Sequence, residues 1–190
     1  MAKFYSRTPN KHGGGAQTNE NGLSYEGRTN LISALKLHTD ISIVDDNKIF
    51  HCGIYKGYYT EKHQYYKLFL SPRLAIRNLR WQDLISKKYL PDSVIINEET
   101  KTVYIIEKKY QESSGSVDEK LQTCDFKKKI YSKLNNAVGY KTEYFYLLNT
   151  WYEQDQYDDV KEYIHSVDCK YFIDRIDLSE FGFFELNYLE

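Results

Sequence analysis

Pro91-Asp92-Ser93-Val94-Ile95-Ile96-Asn97-Glu98-Glu99-Thr100-Lys101-Thr102-Val103-Tyr104-Ile105-Ile106-Glu107-Lys108-Lys109 decides how this chain is read. Ser93–Ile96 and Thr102–Ile106 are β-branched and aromatic runs, which favour strands. The polar Asn97–Lys101 between them reads as a turn. A turn centred between Glu99 and Thr100 pairs residues whose numbers sum to 199, which sets Asp92 opposite Glu107. Directly opposed residues hold their Cβ atoms about 4.5–5.5 Å apart, a separation that suits two carboxylates sharing one divalent ion. Glu107 and Lys109 are two residues apart and share a strand face, whereas Lys108 points the other way. Two carboxylates and one amine thus meet at one end of one face. Phosphodiester hydrolysis calls for that set: carboxylates to hold Mg²⁺, and a lysine to place hydroxide and offset developing charge.

Each residue also has a plainer reading. Asp92 after a proline can simply open a strand or turn, and an isolated Glu-x-Lys is usually a solvated strand end. Here Glu107 follows the apolar run Val103–Ile106 without a break, which weakens that reading. Asp118-Glu119-Lys120 offers a competing triplet. Ser116-Val117-Asp118-Glu119, however, is a capping box that opens a helix, and residues two apart on a helix do not share a face.

In its order Pro-Asp…Glu-x-Lys the stretch resembles the PD-(D/E)XK nuclease superfamily, and within it a small type II restriction endonuclease. The motif itself covers about five residues; the order of elements covers most of the chain. The resemblance implies an α/β fold with a mixed β-sheet flanked by helices. It implies Asp92, Glu107 and Lys109 as catalytic residues, Asp92 and Glu107 as Mg²⁺ ligands, and double-stranded DNA as substrate. Glu26 on the first helix is an auxiliary metal ligand by the same resemblance, and Gln122 an auxiliary residue, although the Gln-x-x-x-Tyr form is broken by Phe126. A two-fold homodimer would match a palindromic target, and a cognate DNA methyltransferase would be the functional partner. A DNA-repair or nicking endonuclease of the same superfamily, or a non-catalytic DNA-binding or partner subunit, are the alternatives.

Other chemistries find no support. Gly53-Ile54-Tyr55 spells half of a GIY-YIG motif, but no matching second half follows. His12, His38, His51, His63 and His165 show no paired metal spacing. Cys52, Cys124 and Cys169 are scattered singles, which excludes a four-cysteine zinc site and suits a reducing cytoplasm. Gly13-Gly14-Gly15 lacks the lysine of a phosphate-binding loop.

The chain has 190 residues, with 16% aromatics and 19 tyrosines, enough for one domain with a proper core. Residues 1–20 are polar and Gly-rich and read as a flexible arm, with the nuclease-like domain over 21–190. No apolar run reaches membrane-spanning length. The net charge of −1 hides an asymmetry: from Glu153 onward eleven acids face three bases, so the remainder carries +7. A local positive surface of that kind is compatible with DNA.

The remaining pattern gives a helix over 22–38, strands at 41–44 and 49–55, and an extended run at 63–70. Helices follow over 71–87, 117–138 and 151–167, with strands at 142–148 and 171–176. On a helix over 71–87, Arg73, Arg77 and Arg80 share a face, extended by Lys87 and Lys88, and would contact phosphates.

Overall fold

The computed structural model describes residue 35, residues 40–45 and 47–112, and residues 118–183. The arm and Glu26 lie outside them. Of the first helix only Leu35 falls within, helical and buried.

The described residues form a mixed seven-stranded sheet whose spatial order follows the chain. Its strands are β1 (Ile41–Val44), β2 (Lys48–His51), β3 (Ile54–Thr60), β4 (Ser93–Asn97), β5 (Thr102–Lys109), β6 (Lys141–Leu148) and β7 (Lys170–Ile173). Strands β1 to β5 run antiparallel to their neighbours, and β6 and β7 continue parallel to β5. This is the expected α/β architecture.

The β4–β5 hairpin has the expected register: Ser93 pairs with Ile106, Ile95 with Tyr104 and Asn97 with Thr102. Asn97 fixes it. Its buried side-chain oxygen accepts the backbone N–H groups of Glu99 and Thr100, at 2.9 and 3.0 Å. Its amide donates to the carbonyls of Phe181 and Gly182, at 3.0 and 3.1 Å. One side chain therefore closes the turn and ties it to the end of the described chain.

Alternation along the strands sorts the core into two clusters. Val94, Ile96, Val103, Ile105, Tyr144 and Tyr146 face the helices, and Ile95, Tyr104, Ile106, Phe145 and Leu147 face Leu35, Phe181 and Phe183. Glu107 continues the parity of Val103 and Ile105, so it belongs to the helical face.

Several elements differ from expectation. The run 49–55 is two strands, because Cys52 and Gly53 adopt left-handed backbone (φ +49° and +76°) and turn the chain. The run 63–70 is helical rather than extended: α1 (Lys62–Gln64) leads into a π-helical segment, Tyr65–Leu70. Tyr65, Tyr66, Phe69 and Leu70 are its buried residues, a helical stripe that high aromatic content disguises as a strand.

The helix expected over 71–87 stops as α2 (Ser71–Ile76). Asn78 takes φ +56° and Leu79 donates to the carbonyl of Leu74 at 3.0 Å, a left-handed termination. A short 3₁₀ turn, Trp81–Asp83, follows. The span 117–138 is two helices, α3 (Asp118–Leu121) and α4 (Cys124–Asn136). Between them Thr123 spends its hydroxyl on the Lys120 carbonyl, 2.7 Å away. The span 151–167 begins as two 3₁₀ turns and becomes α5 (Asp158–Ser166).

Candidate active site

The hairpin carries its carboxylates to the edge where β5, β6 and β7 end. Asp92 stands one residue before β4, and its Oδ2 accepts the backbone N–H of Lys108 at 2.9 Å. Glu107 and Lys109 finish β5. The exit of β5 is fastened to β6: Gln111 N–H donates to Asn149 Oδ1 (3.1 Å), and Asn149 Nδ2 donates to the Gln111 carbonyl (2.8 Å).

Lys109 draws the site together. Its Nζ lies 3.3 Å from Glu107 Oε2, 4.0 Å from Asp92 Oδ2 and 3.1 Å from the Lys108 carbonyl. The Glu107 side chain is 5% exposed. Burying a carboxylate this deeply is costly unless it is paired. Two amines pair with it: Lys109, and Lys127 from α4, whose Nζ sits 2.8 Å from the same Oε2. The other oxygen, Oε1, is buried with no hydrogen-bond partner among the described residues.

Tyr131 and Tyr144 line the helical side of the cluster. Burial pushes both phenols far up, and the negative charge of Glu107 adds to it. Both hydroxyls therefore stay protonated. The Tyr131 hydroxyl too is buried without a partner among the described residues.

A divalent ion suits this donor set. Among the described residues no group of three His, Cys, Asp or Glu side chains could hold a metal; Asp92 and Glu107 are the two carboxylates beside Lys109 that could ligate one. Magnesium is typically bound by one or two carboxylates, with water and substrate phosphate completing its shell. The orphaned Glu107 Oε1 is the acceptor such an ion would satisfy.

The other expected residues within the described part pair with none of Asp92, Glu107 and Lys109. Arg73 serves the turn end of the hairpin, donating to Glu98 Oε1 at 2.6 Å and lying 4.5 Å from the Phe69 ring centroid. With β5 spanning eight residues, roughly 20 Å separates that end from Lys109. Arg77 follows the last residue of α2 and Arg80 lies beyond it, so the three arginines form no common helix face. Arg80 pairs with Asp83 at 3.1 Å. The ammonium of Lys87 lies 5.1 Å from the Tyr89 ring centroid, and that of Lys88 5.1 Å from those of Tyr66 and Trp81. Gln122 lines a separate cavity with Gln156, Tyr157, Asp159, Val160 and Tyr163.

Lys127 escaped sequence reading. It is the first of three consecutive lysines on α4, a pattern that reads as a solvated face. Successive helical residues are turned by about 100°, so the three diverge: Lys127 to Glu107, Lys128 to Asp168 at 2.5 Å, Lys129 to Asp125 at 2.7 Å.

A mixed α/β sheet thus carries two carboxylates and a lysine together at the end of a central hairpin. The PD-(D/E)XK nuclease superfamily domain matches residues 46–174, and the chain belongs to that superfamily. Neither a curated protein nor a solved structure matches the chain.

Proposed function

We propose that this nuclease is a type II restriction endonuclease, hydrolysing phosphodiester bonds in double-stranded DNA at a specific sequence with Mg²⁺. The observation that carries the reading is the convergence of Asp92, Glu107 and Lys109 beside an unsatisfied, buried carboxylate oxygen.

Asp92 and Glu107 would hold the ion, which when bound supplies positive charge beside the scissile phosphate. Lys109 orients the attacking water and offsets the charge that builds on the phosphorane-like state. Lys127 holds Glu107 in place and balances its buried charge. Arg77, Arg80, Lys87 and Lys88 supply phosphate contacts, and Arg73 acts through the hairpin it braces. Glu26 adds a third carboxylate. A homodimer would present two such sites to a palindromic target, and a cognate methyltransferase would protect the host's own DNA. The intact catalytic set argues against a non-catalytic subunit.

Digestion of mixed DNA in Mg²⁺, followed by sequencing of the ends, tests this reading. Ends that share one short sequence support it. Ends scattered without a common sequence fit the repair or nicking alternative.

A further inference from the structure

Phe126 and Tyr89 meet edge to face, with ring centroids 5.7 Å apart and planes at 71°. Each belongs to a segment that enters the site. Phe126 immediately precedes Lys127 on α4, and Tyr89 stands three residues before Asp92. Phe126 is 53% exposed, although it stands on a helix that packs against the sheet.

The pair is braced from behind. The Tyr66 hydroxyl donates to the Tyr89 carbonyl at 3.0 Å and accepts the Tyr89 N–H at 3.3 Å. Tyr66 itself is 1% exposed and sits in the helical core, so the backbone of Tyr89 is anchored to that core. The ammonium of Lys87 stands 5.1 Å from the Tyr89 ring centroid, and Lys88 lies over the adjoining Tyr66 and Trp81 rings. An exposed ring, a rigid second ring and two cations thus lie together on segments that lead directly into the cluster.

Single exposed apolar residues are ordinary on protein surfaces. A braced aromatic pair with cations at its margin, next to a nuclease site, has a specific physical match. Nucleobases stack on aromatic faces whatever their sequence, while cations track the neighbouring phosphates. We propose that Phe126 and Tyr89 form a stacking platform for an unstacked nucleobase close to the scissile phosphate. The inference rests on the reading of Asp92, Glu107 and Lys109 as the site of cleavage. The substrate strand therefore presents an open base there, either because it is single-stranded or because the base is extruded from a duplex. Lysines alone would hold any anion, but only a base gains from the exposed ring.

The test is binding of fluorescein-labelled, random-sequence oligonucleotides to the full chain in EDTA, where no divalent ion supports cleavage. Single strands and the matching duplexes are measured in parallel. Phe126→Ala is expected to weaken binding about 5- to 100-fold, Phe126→Trp to restore it, and thermal unfolding to stay close to wild type, since the ring is half exposed. A loss confined to single strands identifies single-stranded substrate; a loss that includes the duplex identifies an extruded base. Unchanged affinity for both probes, failure of the wild type to bind either, or a change only in the mass of a protein assembly would overturn the proposal. Cleavage by Asp92→Ala in Mg²⁺, measured separately, reports on the underlying site and leaves the binding result standing.

Discussion

Lys108 and Lys109 are adjacent in sequence but belong to opposite faces of β5. Lys109 reaches both carboxylates, whereas Lys108 meets Asp92 through its backbone N–H. Lys109→Ala is expected to slow single-turnover cleavage by about 10²–10³-fold, the usual loss for a group that stabilises transition-state charge, while Lys108→Ala stays near wild type. A larger loss from Lys108→Ala would contradict the assignment. Lys127→Ala is expected to cost less, about 10–100-fold, because it acts by positioning Glu107; a rate equal to wild type would remove Lys127 from the site. Lys109 was legible because strand alternation needs only local sequence. Lys127 was not, because which lysine of three turns inward depends on how α4 packs.

The hairpin was the most legible element. Its strands are continuous apolar runs, and a short polar turn leaves few registers. Helix ends were less so: Asn78 stopped α2 with a left-handed backbone that no other asparagine among the described residues adopts. The turn end of the hairpin has its own test. Burial alone would push the Glu98 carboxyl up, but hydrogen bonds from Tyr140 and Lys101 and the charge of Arg73 outweigh it and hold the group below its ordinary 4.5. A depressed carboxyl stabilises the fold above its unfolded value and loses that contribution as pH falls through the folded value. Acid unfolding should therefore steepen below pH 4.5, and Glu98→Gln should flatten that limb in a pH series of melting curves. In β3, Gly57 has φ +152°, and a Cβ there would come 1.8 Å from the Ile96 carbonyl oxygen. Gly57→Ala is expected to destabilise the fold by about 3 kcal/mol or more, measured by denaturant unfolding; a near-neutral effect would mean that β3 and β4 can separate at that point.

Across the whole molecule, charge is divided rather than absent. The acidic stretch from Glu153 onward contains α5 and β7, while the positive remainder contains the hairpin, Lys87, Lys88 and α4. The fold class followed from the resemblance that the hairpin carries, and the order of strands, hairpin, helix and strand agrees with it. The loss of the arginine face could not, because it follows from where α2 stops. Asp92 joins the site through one oxygen, which accepts the Lys108 backbone N–H and lies 4.0 Å from Lys109 Nζ. The decisive measurement is cleavage of mixed-sequence DNA in Mg²⁺ by wild type and Asp92→Ala side by side, with binding followed in the same preparations. The wild type is expected to give defined products, and the variant no cleavage with binding largely kept, as metal ligation by Asp92 requires. Cleavage by Asp92→Ala at the wild-type rate would contradict it.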